Sequence, residues 1–347
     1  MTGRAVGGWR MPSETEPQDR VWMAYPVPGY SLGDTEAEQD EARRTWAAVA
    51  HAVADHQPVT VIVDPTEVGA ARRHLSSGID IVEAPLDDAW ARDIGPTFVL
   101  GDDGRLGAVD WVFNGWGAAS WASWENDQHI GRLIAQLSGA ELIESPMVNE
   151  GGGIQVDGHG TVMVTESVQL GDGRNPEWSK AEVEAELART IGVDHAVWLP
   201  YGLTRDNETF GTRGHVDIVA ALPAPGVVLL HDQRDPAHPD HRITATLREL
   251  LDEATDATGT IFRIVDVPAP TVLRDTEGYV DYSYINHVVV NDAVIACSFD
   301  DPNDAAAVAI LSETYPERHV VSVDARPLFA RGGGIHCITA NQPSARG

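Results

Sequence analysis

Residues 36–56 read EAEQDEARRTWAAVAHAVADH, and residues 59–64 follow almost at once with VTVIVD. The first stretch carries apolar residues at helical spacing, and the second is a short β-branched run between a proline and an aspartate. A helix that hands directly on to a buried strand is the unit from which α/β folds are assembled. The alternation recurs along the chain. Further helical patterns occupy 126–138, 179–191, 241–255 and 303–313, where Ser179 with Glu182 forms a capping box and Asn303 precedes an alanine-rich run. Between them lie short β-rich segments such as GAVDWVFN, TVMVTES, HAVWLP, VDIVAAL, GVVLLHD, IFRIVDV and HVVVNDAVIACSF. Five α/β units that each leave an apolar sheet face open can share one centre by forming a ring. Periodicity alone leaves a doubly wound sheet as the alternative. No GxGxxG follows a strand and no GxxxxGK[ST] is present, so nucleotide binding has no support.

No low-complexity linker divides the 347 residues, and a single domain over 1–347 is expected. No apolar run nears the roughly 20 residues of a membrane span, and the opening residues lack the apolar stretch of a signal peptide. A soluble, cytoplasmic protein without a membrane partner is the expectation. The net charge of -29 argues against nucleic acid, whose phosphates are bound by clustered Lys and Arg. It suits a cationic ligand, although an acidic surface also serves solubility. Lys180 is the only lysine. The two cysteines, Cys297 and Cys337, are too few for a disulfide framework or a CxxC metal site, so both read as free thiols.

Four segments carry candidate chemistry. Arg331-Gly332-Gly333-Gly334-Ile335-His336-Cys337 sets a thiol after a glycine run that lets a substrate approach closely. Cys297, inside the apolar AVIACSF strand, reads as a structural cysteine. Gly214-His215-Val216-Asp217 reads as a strand, which would point His215 and Asp217 to one face; a polar surface strand is the plainer alternative. Asp87 to Pro96 mixes acids with Trp90 and Arg92, a pattern that also suits a solvated turn, and Asn149-Glu150-Gly151-Gly152-Gly153 sets a carboxylate before three glycines, as a hairpin would. Together these supply one thiol, one histidine and three carboxylates without metal-ligand spacing. Paired carboxylates accept the forked N–H groups of a guanidinium, a thiolate attacks its carbon, and a histidine serves as acid and base. His238 and His241 in HPDH stand three apart but read as a solvated loop, and Gly158-His159-Gly160 as a turn.

GGGIHCIT followed by Gln342-Pro343, together with DDAWARDIGPTFV, FNGWG, NEGGGIQVDGHGTVMVTES, GRNP, GHVD, YSYIN and DPNDAAAVAIL, resembles the agmatine deiminase and bacterial-type peptidylarginine deiminase family. The resemblance runs from MPSETEPQDRVWMAYP to ITANQP, nearly the whole chain. It implies a five-bladed α/β propeller (pentein) with a pseudo-fivefold arrangement. It implies that Cys337 attacks the guanidinium carbon, that His215 acts as acid and then base, and that Glu150 orients His215. Asp93 and Asp217 would grip the guanidinium nitrogens, Asn286 would stand on the substrate side, and Trp90 would line the aliphatic part. A thiouronium on sulfur would be the intermediate. No metal or organic cofactor is implied, and a homodimer or larger homo-oligomer is compatible with the family. Two departures concern the pocket border: Asp206 to Thr212 carry extra residues before Gly214-His215, and Ala340-Asn341 stand where the family tends to have two glutamines.

The favoured reading is hydrolytic deimination of a small cationic guanidine, agmatine, to N-carbamoylputrescine and ammonia. Deimination of arginine, a peptidylarginine or another alkylguanidine is the alternative within the family. A silent guanidine-binding protein is the alternative outside catalysis. An arginine site would need a cation for the substrate carboxylate, for which Arg92, Arg213 and Arg331 are the candidates.

Overall fold

A computed structural model of the chain describes residues 8–345, and its strands and helices alternate as the sequence patterns predict. Strand β1 spans Trp9–Arg10, β2 Gln18–Ala24, β3 Val59–Val63, β4 Asp80–Glu83, β5 Thr97–Gly101, β6 Leu106–Val112, β7 Glu141–Val148, β8 Ile154–Val156 and β9 Thr161–Thr165. Then come β10 His195–Leu199, β11 Ala220–Ala224, β12 Val227–Asp232, β13 Arg263–Pro268, β14 Val288–Val289, β15 Ala293–Ser298, β16 His319–Asp324 and β17 Thr339–Pro343. The long helices are α1 Glu36–Ala54, α2 Ile130–Ser138, α3 Lys180–Ile191, α4 Asp240–Glu253 and α5 Asp304–Thr314.

Five separate sheets result, β17-β2-β3-β4, β1-β5-β6-β7, β10-β9-β8, β11-β12-β13 and β14-β15-β16. One pattern repeats in all of them. Leaving aside β1, which adds antiparallel to β5, the first two strands of each unit pair antiparallel, and the third lies parallel to the second. A parallel neighbour requires a long crossover, and α1 to α5 are those crossovers, one per unit. The single doubly wound sheet is thereby excluded, and the fold is the α/β class of five repeated units. Strand β17 pairs with β2, where Trp22 Nε1 donates to Gln342 Oε1 at 2.9 Å, so the two ends of the described chain complete one unit.

Local sequence explains the helices. In α3 the Ser179–Glu182 capping box is reciprocal, Val183, Leu187 and Ile191 are buried at four-residue spacing, and Gly192 ends the helix at φ 71°. A second box, Thr35 with Glu38, starts α1. Asn303 does stand before α5, but it makes no side-chain cap and donates instead to the Ala269 carbonyl at 2.7 Å. The strand expected at Gly214 to Asp217 is also corrected: Val216–Ile218 form a 3-10 turn, and β11 begins at Ala220. No described helix is long and apolar enough to cross a membrane.

Candidate active site

Each unit enters its first strand through a turn, and the candidate residues sit on these five turns. Asp93 lies on the short helix Ala91–Ile94 before β5, Glu150 before β8, His215 and Asp217 before β11, Asn286 before β14, and Cys337 before β17. The repeat therefore brings together residues far apart in sequence. All six are buried.

Their meeting point is Gly152. A Cβ built there would stand 2.5 Å from His215 Nδ1, 3.0 Å from Asp217 Oδ2 and 3.0 Å from Asp93 Oδ1. Only a glycine leaves that space open. Its own amide donates to Asp93 Oδ1 at 3.0 Å, and Trp116 Nε1 donates to Asp93 Oδ2 at 2.8 Å. His215 Nε2 bonds Glu150 Oε2 at 3.2 Å, while Nδ1 has no hydrogen-bond partner and lies 3.9 Å from Asp93 Oδ1. Cys337 Sγ stands 3.7 Å from Asp217 Oδ2 and 3.3 Å from Asn286 Nδ2. Trp90 shares a wall with the thiol: a Cβ on Gly333 would meet the Trp90 ring at 2.7 Å and Cys337 Sγ at 3.0 Å.

The ionisable groups form two chains of alternating charge. Both Glu150 oxygens lie within 3.0 Å of Arg174 Nε, and Arg174 also donates to the Thr212 carbonyl. On the other side, His336 faces Asp217 Oδ2 through Nδ1 at 2.7 Å and Glu14 Oε1 through Nε2 at 2.9 Å. Burial and the Arg92 charge oppose a proton on that imidazole, but the carboxylates of Glu14 and Asp217 outweigh them and raise its affinity above the ordinary value. Arg92 then pairs Glu14 at 2.9 Å. The second oxygen of Asp217, Oδ1, is buried without a partner.

Proton affinities follow from this arrangement. Burial lowers the affinity of His215, but Asp93, Glu150 and Asp217 outweigh it and hold the imidazole at about 9. Burial lifts the Asp93 carboxyl to about 6, with Glu150 and Asp217 adding to the shift and the His215 cation opposing it. Burial also opposes ionisation of Glu150, yet Arg174 and His215 keep it below the usual carboxylate range. Burial, then the charges of Asp217 and Asp93, push the Cys337 thiol well above its ordinary value. At neutral pH the pocket thus holds an imidazolium at His215 and a neutral thiol at Cys337.

The sequence profile of the Porphyromonas-type peptidyl-arginine deiminase family matches residues 10–343. The chain belongs to that family. A relative from Streptomyces coelicolor is 54% identical over 96% of this chain and 99% of its own length. The agmatine deiminase of Pseudomonas aeruginosa is 39% identical over 98% of this chain and 96% of its own. Among solved structures, the agmatine deiminase of Enterococcus faecalis superposes with a TM-score of 0.91 at 31% identity, covering 99% of this chain and 98% of that one. As a deiminase-family member the chain is a hydrolase of guanidino C–N bonds.

Within this deiminase the remaining sequence candidates fall outside the cluster. Cys297 is buried in β15 with Sγ 3.1 Å from the Asn286 carbonyl, and burial raises its thiol to about 12. His238 is not the solvated histidine its acidic, proline-broken context suggests: it is buried, and Nε2 bonds the Val280 carbonyl at 3.0 Å. No cluster of metal-ligating side chains occurs among the described residues. Sequence reading assigned nothing to Arg174, Trp116, Gly152 or His336, although all four lie inside the quoted motifs. An arginine directly ahead of Asn-Pro and a histidine beside the thiol were the available signals.

Proposed function

We propose that this deiminase hydrolyses agmatine to N-carbamoylputrescine and ammonia, with Cys337 as nucleophile and residues 1–347 acting as one catalytic domain. The convergence of His215 Nδ1, Asp93 Oδ1 and Asp217 Oδ2 on the space above Gly152, beside Cys337 Sγ, carries the reading. A planar guanidinium enters that space as the missing cation, accepted by Asp93 on one edge and by the unpartnered Asp217 Oδ1 on the other. Asn286 steadies the sulfur, and Trp90 covers the alkyl side.

The proton inventory supports the chemistry. Binding a cation beside Cys337 offsets the carboxylate charges that hold the thiol protonated. Sulfur then bonds to the guanidinium carbon as the C–N bond breaks; His215 donates its Nδ1 proton to the leaving nitrogen and stays neutral, while the thiol proton passes to the departing ammonia. Glu150, fixed by Arg174, keeps the imidazole oriented. In the second half, His215 takes a proton from water, the oxygen attacks the thiouronium carbon, and the C–S bond breaks to return the thiol. The proton released overall leaves with ammonia as ammonium.

The choice of agmatine over arginine rests on the cations. Arg92 is committed to Glu14 and Asn341, and Arg331 to Glu41 and the carbonyls of Ser31, Glu38 and Pro327. Arg213 is exposed, sits at φ 76° and donates to the Asn207 carbonyl. None of these three is left for a substrate carboxylate, and Arg205, which lines the neighbouring cavity, is committed to Asp275 and Glu277. Ureido product and ammonia measured from agmatine, arginine, alkylguanidines and a peptidylarginine test the reading. Agmatine should exceed free arginine in kcat/KM by at least about a hundredfold. Faster turnover of arginine or of the peptide would assign the substrate elsewhere, and no turnover of any guanidine would remove the enzyme reading.

A further inference from the structure

The glycine run before Cys337 borders a second space. Gly333 touches the thiol, whereas its neighbour Gly332 lines a cavity of about 220 Å3 together with Tyr30, Glu208, Phe210, Asp281 and Phe329. Consecutive Cα atoms are about 3.8 Å apart, so the cavity begins one residue from the nucleophile's pocket. An aromatic wall joins the two. Trp116, which holds Asp93, stacks on Trp121 at 5.3 Å, Trp121 meets Tyr30 at 5.3 Å, and Tyr30 stacks on Phe210 at 4.4 Å.

At the end of this wall sits an acid to which no described cation is hydrogen-bonded, although Arg205 lines the same cavity. Asp281 is 7% exposed, and among the described residues no side chain or amide other than its own donates a hydrogen bond to its carboxylate. Arg205, the cation that acts on it, gives its hydrogen bonds to Asp275 at 2.6 Å, Glu277 at 2.8 Å and the Tyr279 carbonyl. Burial, then the charge of Asp206, lifts the Asp281 carboxyl to about 7. A buried carboxylate left this way is costly unless a cation arrives. Glu208 and Glu277 add acidic character to the same lining.

We propose that this cavity is a distal subsite in which Asp281 receives the terminal ammonium of an ω-aminoalkylguanidine, the alkyl chain lying along the wall of Trp121, Tyr30 and Phe210. The inference rests on the deiminase reading above and adds what selects the substrate's far end. Glu208 and Phe210 belong to the residues by which this chain departs from its family before Gly214, so the departure borders the subsite.

The test compares agmatine with n-butylguanidine, which lacks the ammonium, on the wild type and on Asp281→Asn. The wild type should prefer agmatine in kcat/KM by at least about tenfold, and Asp281→Asn should reduce kcat/KM for agmatine about 10- to 150-fold, chiefly through KM. The loss with n-butylguanidine should be at least tenfold smaller. Equal losses on both substrates, or none, would overturn the subsite. Should Asp281→Asn fail to fold, the wild-type comparison decides alone, since equal efficiency on the two guanidines removes the need for a far-end acid. A wild type inert toward both would instead take away the deiminase reading on which the subsite stands.

Discussion

The two ends of the proposed substrate path are built on opposite electrostatic plans. Around Gly152 every acid has a standing partner: Glu150 has Arg174 and His215, Asp217 has His336, and Asp93 has Trp116 and the Gly152 amide. Around Asp281 the acid has no hydrogen-bonded partner, only the nearby charge of Arg205, in a cavity walled also by Tyr30, Phe210 and Phe329. Pre-paired groups need no rearrangement as charge moves during reaction, which is how a catalytic centre stabilises its transition state. An unpaired buried acid does little for a reaction, but it rewards the one ligand that completes it. Chemistry and selection are thereby separable, and substitutions at the two ends should fail differently.

The sharpest contrast comes from the proposed nucleophile. Cys337→Ala should lower turnover of every guanidine by at least about 10^4-fold with the fold intact, because the covalent step itself is lost. Cys297→Ala, confined to β15, should leave kinetics nearly as they are. Labelling by a haloacetamidine should mark Cys337 in mass spectra; an adduct on Cys297 would break the assignment.

Next in size is the paired network. Arg174→Met leaves Glu150 buried beside His215 without its guanidinium, so stability should fall by about 3–5 kcal/mol in denaturant unfolding. Unchanged stability would show that Glu150 does not depend on its partner.

Asp93→Asn and Asp217→Asn preserve shape while removing a charge-assisted contact, which should cost about 1.5–3 kcal/mol of binding at each site. Agmatine and n-butylguanidine should suffer alike, since both present the same guanidinium. A loss restricted to agmatine would place the guanidinium at the wrong end.

The smallest effect is a displacement of one pH limb. kcat/KM should fall above about pH 9 as His215 loses its proton, and below about pH 6 as Asp93 gains one. For agmatine alone the acid limb should begin nearer pH 7, where Asp281 takes up a proton amid Asp206, Asp240, Arg205, Tyr30, Glu208 and Glu277. Superimposable profiles for the two guanidines would erase the distinction between the two ends.

Much of this could be read from the residues, and the failures have physical causes. Helices α1 to α4 were visible because four or more buried positions at helical spacing leave a periodic trace, as in Ala42, Trp46, Val49 and Val53 of α1, whereas α5, with only Ala307 and Leu311 buried, showed through its alanine-rich run. The Gly214 to Asp217 segment misled because two side chains two residues apart face one pocket from a 3-10 turn as well as from a strand. The fivefold placement of the site turns was invisible, since no local pattern announces where a unit's first strand begins when, as in β8 and β14, it is only two or three residues long. Arg174, His336 and Asp281 escaped for another reason. Their meaning lies in contacts made or missing across the fold, which the motifs around Arg174 and His336 do not spell out.

The pairing of β17 with β2 carries a consequence for how the molecule comes into being. Asp93, Glu150, His215, Asp217 and Asn286 all precede Cys337 in the chain, and the strand that anchors the thiol finds its neighbour some three hundred residues upstream. Synthesis proceeds from the amino end, with early segments beginning to fold first. A ribosome therefore assembles acid, carboxylates and amide before the sulfur they act with, and β2 keeps one edge open until then. On the proposed mechanism the growing polypeptide carries no armed thiol, and reactivity appears only with the seam that joins late residues to early ones.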